Sequence, residues 1–362
     1  LHETGSTDRA VPLARRALRT GFADEARLSL VLARVSAMAG ETETALGWIR
    51  RALDAGLENR PQLEQDEAFA SLRDDPRFRE LAGFAPSGIE GRVEGWRHDL
   101  DFFVEEARRY HPAPKRTVWD PTFVEDVRKL GARVKDLDDV AVAMELQKIV
   151  VRHLADGHSV VYPLPTERVP MPGLLPIQLY FFSDGLFAVD ADEPHTDLVG
   201  QRVLAIGGRS TDGLLDDLKP IVSRDNEQGL RWVGPLYLRS PAALRAIGYA
   251  DSLETVSFTF SDGQKQHTVT LSTEPPERVN EKLPPPPAGT EPPRWQSRMD
   301  ENYWHEGLPS LNAVYVQFNQ VRNAEEGPSI AEFASAVRDT LRESGATELI
   351  LDVRHNNGGN NF

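Results

Sequence analysis

Two places in this 362-residue sequence set chemistry-bearing residues in a usable frame. In LADGHSVV, His158 follows a helical stretch and Gly157, and an imidazole suits proton transfer near neutral pH. In LILDVRHNNGG, the apolar run Leu349 to Val353 reads as a strand buried on both faces and leads into Asn356, Asn357, Gly358 and Gly359. Adjacent glycines let the backbone approach a ligand, and an N–H aimed outward can stabilise a developing oxyanion. Each place also has a plainer reading. His158 could cap the helix end or bond a carbonyl, and the diglycine could simply turn the chain.

The other histidines point elsewhere. His153 lies five residues before His158, which turns the two rings about 140° apart on a helix and argues against a metal pair. His111, in YHPAP, ends a helix before proline and reads as a structural cap, and His355 lies inside the closing loop. Asp352 and Arg354 read as a buried ion pair that shapes that loop rather than as direct chemistry. The sequence contains no cysteine, which excludes disulfides, thiolate metal sites and a cysteine nucleophile.

Composition narrows the partners. The formal charge is −15, with no basic stripe to follow a phosphate backbone, so nucleic acid is not expected. The longest apolar stretch, LLPIQLYFF, is about half the length that a bilayer crossing requires, so no membrane span is expected. The chain begins on Leu1 with no charged and apolar leader, so a signal peptide is expected to be absent or lost upstream.

The elements that position these residues divide the chain into several domains. Residues 1–85 read as an all-α segment in which Leu32, Ala33, Ala37, Ala45, Ile49 and Ala52 recur at helical steps around Gly40. The spacing is similar to a tetratricopeptide unit, with AVPLARRALRTG as a preceding helix and EQDEAFASLRDDPRFRELAGF as a closing cap. After the linker APSGIEG, residues 92–165 read as a helical bundle with helices over 96–110, 120–134 and 137–154, then a strand in HSVVYPL. Residues 174–275 alternate short apolar runs with turns and close in a hairpin around Asp262-Gly263. Within them, DLVGQRVLAIGGRSTDGLLDDL resembles a PDZ-like strand, glycine turn and helix. A proline-rich connector spans 276–296, and 297–362 read as a strand, helix, strand unit with a parallel pairing.

That last unit carries a resemblance. VYVQFNQV, a helix and LILDVRHNNGG look like the first half of the crotonase- or ClpP-like core of tail-specific (C-terminal-processing) serine peptidases and their tricorn-like relatives. Asp352, Arg354, Asn356, Gly358 and Gly359 meet the fixed positions of the family pattern. The upstream LADGHSVV and DLVGQRVLAIGG follow in the family's order, and the resemblance covers about residues 96–362. It implies a serine endopeptidase that works through an acyl-enzyme, with an oxyanion donor at Gly358 or Gly359 and no metal or organic cofactor. His158 is the implied general base in the tricorn-like branch, where Gly157 replaces a serine, and a lysine outside the chain is the base in the other branch. The nucleophilic serine and most specificity residues fall beyond Phe362 in this reading, so the 362 residues alone are expected to be inactive. Polypeptide is the implied substrate, the front helices are expected to recruit a protein partner, and the implied setting is the bacterial periplasm or exterior. Interphotoreceptor retinoid-binding proteins resemble the same core without cleaving anything, so a non-catalytic binding protein is the alternative, and a scaffold built on the front helices is a third.

Overall fold

The computed structural model describes residues 12–14, 16, 18, 24–57, 60–84, 89–111, 120–154, 156–161, 173–274, 291–324, 327–356 and 358–359. They belong to two compact units, residues 1–282 and 283–362. The architecture is mixed: helices, antiparallel sheets and one parallel strand pair, with no barrel among the described residues. The expected preceding helix falls mostly outside the described residues, as do 85–88 of the first linker and 275–290 of the proline-rich connector.

The first unit opens with helices α1 (Glu25–Met38) and α2 (Thr42–Asp54). Asp24 caps α1 by accepting the Arg27 N–H, and Gly40, at φ +76°, turns the chain between the helices. Ala33, Ala37 and Ala45 are buried between them, where small side chains let two helices approach closely. Ile49 and Leu53 pack with Phe69 and Phe78 from the segment that holds α3 (Pro61–Gln65) and α4 (Pro76–Leu81). Arg34 and Asp66 tie that segment back to α1 at 2.6 Å.

Three longer helices follow: α5 (Arg92–Tyr110), α6 (Pro121–Arg133) and α7 (Asp139–His153). Asp120 and Asp138 cap the last two, and Leu100, Val104, Phe123, Val127 and Val142 form their shared core. The strand expected at HSVVYPL is absent from its described part. Residues 156–158 bend around the Asp156 side chain and 159–161 adopt no regular element, while 162–172 lie outside the described residues.

The sheet of this unit comprises β1 (Ile177–Phe182), β2 (Gly185–Ala191), β3 (Arg202–Ile206), β4 (Arg209–Ser210), β5 (Thr255–Ser261) and β6 (Gln266–Ser272). Its order is β1-β2-β3-β5-β6, antiparallel throughout, with β4 beside β3. At Gly207, φ is +54° and a Cβ would lie 1.8 Å from the Tyr249 carbonyl oxygen, so only glycine fits that turn. Between β4 and β5 the chain forms α8 (Leu214–Leu218), inside the stretch TDGLLDDL where a helix was expected, and then two helices where none was expected, α9 (Glu227–Tyr237) and α10 (Pro241–Ala246). Gly229, Gly234 and Pro235 hide the helical period of α9 in the sequence. Asn226 nevertheless caps it, and Leu230 and Tyr237 anchor it in the core with Leu186, Ile206 and Phe258.

The second unit holds β7 (Tyr303–Leu308), β8 (Ala313–Phe318), α11 (Ile330–Ser344) and β9 (Glu348–Asp352). β7 pairs antiparallel with β8, and β9 pairs parallel with β8 in the register Val314 to Leu349 and Val316 to Leu351. A reciprocal capping box of Ser329 and Glu332 starts α11, which lays Phe333 and Val337 on Tyr303, Val314 and Val316. The expectation that β9 is buried on both faces fails. Among the described residues β9 lies at one edge of the three-stranded sheet, with Leu349 and Leu351 52% and 59% exposed, and of its five residues only Asp352 is buried.

Candidate functional site

His158 sits on a loop that three neighbours hold. Asp156 Oδ1 accepts the backbone N–H groups of both His158 and Ser159 at 2.8 Å, which fixes the bend. Burial would push the Asp156 carboxyl up, but the bonds from Ser159, His158 and His111 together carry it below its ordinary value. From α7, the fully buried Gln147 accepts the Val161 N–H at 2.6 Å and donates to the Ile221 carbonyl at 2.7 Å. Asp225 accepts the Gly157 N–H at 3.0 Å. His158 itself is exposed, and its imidazole makes no hydrogen bond among the described residues.

His111 is more than a helix cap. Its backbone N–H closes α5 on Ala107, but its Nε2 reaches across to Ser159 Oγ at 2.7 Å and Asp156 Oδ2 at 3.0 Å. Serine, histidine and aspartate thus meet in one cluster. A catalytic relay needs the acid and the hydroxyl on opposite ring nitrogens. Here both meet the same nitrogen, so the cluster clamps the loop and does not activate Ser159. His153 is likewise structural: it bonds Asp126 Oδ2 at 3.0 Å and sets its ring edge-on to Phe123.

Behind the His158 loop, Val160 and residues of α9, including Trp232, Val233 and Leu236, line a cavity of about 520 Å³. Among the described residues, no three histidine, aspartate or glutamate side chains converge to hold a metal ion.

In the second unit, the closing turn is braced from both sides. The buried Asp352 pairs with Arg354, whose Nε lies 3.0 Å from Oδ1, and it accepts the Tyr315 hydroxyl at 2.8 Å. Burial favours the neutral carboxyl, yet the Arg354 bonds and the Tyr315 hydroxyl together hold Asp352 below its ordinary value. The same burial, reinforced by Asp352, raises the Tyr315 hydroxyl well above the usual phenol range. His355 donates from Nε2 to the Trp295 carbonyl at 3.0 Å and stacks on the Trp295 ring.

Asn356 then organises the glycines. Its Nδ2 donates to the Phe318 carbonyl at 2.9 Å, and its Oδ1 accepts the Gly358 N–H at 2.9 Å. The Gly358 carbonyl accepts the Val321 N–H, and Gly359 bridges Val321 in parallel. Gly358 and Gly359 take φ values of +84° and +147°, and a Cβ on Gly359 would lie 2.1 Å from the Val321 oxygen. The Gly358 amide is therefore occupied, whereas the Gly359 amide meets no acceptor among the described residues.

No protein-family model matches the sequence, and no curated protein matches it. Of the residues singled out in sequence, His158 belongs to the first unit and Gly358 and Gly359 to the second. The structure joins Asp352 to Arg354 as expected of an ion pair, although the arginine side chain is exposed. Sequence reasoning missed Asp156, Gln147 and Asp225, the residues that hold the His158 loop. Of these, only Asp156 leaves a local signal, since an aspartate two residues ahead is placed to accept the backbone N–H groups of a bend.

Proposed function

We propose that this chain contributes the oxyanion and general-base half of a serine-type endopeptidase of the tail-specific, tricorn-like kind. In this reading the second unit is the first half of a crotonase-like core, the six-stranded sheet is PDZ-like, and the front helices are a tetratricopeptide-like unit that recruits a protein partner. A serine, which the resemblance puts beyond Gly359, attacks the scissile carbonyl. Its proton passes to His158, or to a lysine outside these residues, and returns to the leaving amine. The Gly359 N–H donates to the tetrahedral oxyanion, and Gly358, with its amide engaged by Asn356, shapes the turn.

The observation that carries the reading is the Asn356 brace at the carboxyl end of β9, a strand parallel to β8, where α/β sheets form their sites. It tolerates no side chain at Gly359 and has no acceptor for that amide among the described residues. The test is hydrolysis of an unfolded polypeptide, and labelling by a fluorophosphonate, with the product of the whole reading frame. His158→Ala is expected to cut kcat roughly 100-fold or more while the melting temperature holds. Absence of both labelling and hydrolysis in the unaltered protein sinks the proposal, and unchanged turnover in His158→Ala assigns the base to the lysine.

A further inference from the structure

The cavity of about 520 Å³ behind the His158 loop lies within the ~300–1,000 Å³ typical of sites that enclose small groups. Its walls are mainly apolar: Val160 on the loop, and Val233 and Leu236 on α9. Trp232 belongs to the same lining yet is 72% exposed, an indole presented to solvent instead of packed. The charges nearby are already engaged. Arg224 Nη1 donates to the Lys219 and Val222 carbonyls at 3.0 and 3.1 Å, and its Nε lies 3.6 Å from Glu227. Asp225 accepts the Gly157 N–H. A group entering the cavity therefore meets mainly hydrocarbon and an exposed indole, with the His158 imidazole and the Asp225 carboxylate as polar groups in the same lining and the one cation there, Arg224, already engaged. Burying an anionic group there has nothing to offset its lost hydration and sets it near the Asp225 carboxylate.

We infer that this cavity is a subsite for one large uncharged side chain of a polypeptide, aromatic or branched aliphatic, with Trp232 closing over it. The inference rests on the peptidase reading, and it adds a specificity element carried by this chain. His158 belongs to the same lining, so a residue anchored in the cavity keeps its flanking peptide groups beside the imidazole. A free apolar molecule would use the walls but not that arrangement.

The test titrates the 362-residue chain with short blocked peptides that differ at one central residue, Phe, Leu, Ala or Asp, read by fluorescence anisotropy. The Phe and Leu peptides are expected to bind roughly tenfold or more tighter than the Ala and Asp peptides. Trp232→Ala and Trp232→Glu, both at an exposed position, are expected to erase that preference without moving the melting temperature. Equal affinities across the series, no binding of any peptide, or a preference that survives both Trp232 variants overturns the subsite. So does uptake of 8-anilinonaphthalene-1-sulfonate with no discrimination among peptides. Hydrolysis by the product of the whole reading frame, assayed alongside, separates the two ideas. Discrimination without cleavage sinks the peptidase reading alone, and cleavage without discrimination sinks the subsite alone.

Discussion

The Asp225 carboxylate occupies the space that a side chain at Gly157 would need. Oδ1 accepts the Gly157 N–H at 3.0 Å, and a Cβ built on Gly157 would lie 2.8 Å from Oδ2. The carboxylate comes from the residue just ahead of Asn226, the cap of α9.

Gly157→Ala should therefore force the Asp225 side chain aside. Because the obstructing atom ends a flexible, exposed side chain, the stability cost should be about 1 kcal/mol or less in urea titration. Asp225→Ala in the same molecule should remove the conflict, giving a coupling on the order of 0.5 kcal/mol or more in a double-mutant cycle. Strict additivity of the two substitutions would show that the carboxylate does not fill that space.

Gln147 joins α7 to both the His158 loop and the segment at Ile221, with its side chain fully buried. Gln147→Leu keeps the volume but strands the Val161 N–H and the Ile221 carbonyl. About 1–3 kcal/mol of stability should be lost for each buried group left unpaired. Hydrogen exchange at the Val161 amide should accelerate beyond what the global loss explains, and an unchanged rate would refute the link.

Gly358 and Gly359 should differ sharply in tolerance. An alanine at Gly358 meets nothing within 4 Å and bears only its left-handed backbone, at about 1–2 kcal/mol. An alanine at Gly359 would drive its Cβ to 2.1 Å from the Val321 oxygen, so the bridge to Val321 must open. Thermal melts and the amide spectrum of 318–324 should report a local rearrangement for the second variant and not for the first.

Asp352 sets an acid limit on the second unit. Its folded carboxyl is held below the ordinary 3.8, because the Arg354 and Tyr315 bonds outweigh the opposing effect of burial. A depressed folded value contributes stability above the unfolded value, and that contribution fades as pH falls through the folded one. The urea midpoint of the wild type should therefore drop faster than that of Asp352→Asn as pH is lowered from neutral through 3.8. Parallel curves would show that the ion pair contributes nothing to this dependence.

Much of the helical frame was legible because local chemistry and burial agree. Asp120-Pro121 and Asp138 announce the starts of α6 and α7, and the structure begins those helices at Pro121 and Asp139. The β5–β6 hairpin follows from alternating strands around an Asp-Gly turn. α9 was not legible, since two glycines and a proline argue against a helix that tertiary packing on Leu230 and Tyr237 enforces. The clamp on the His158 loop was equally hidden. His111 and Ser159 are 48 residues apart, and Gln147 and Ile221 are 74 apart, distances at which spacing carries no information. The burial of β9 was misjudged for a related reason: an apolar run tells what a strand prefers to touch, not what is there to touch it.

That exposed rim has a practical side. Leu349 and Leu351, with Val353 just past them, stand in water along a strand whose outer backbone edge has no partner among the described residues. Such an edge is a template for intermolecular pairing. Concentrated solutions of these 362 residues should cloud or form fibrils sooner than their charge of −15 alone would suggest, and a lysine in place of Leu351 should keep them clear.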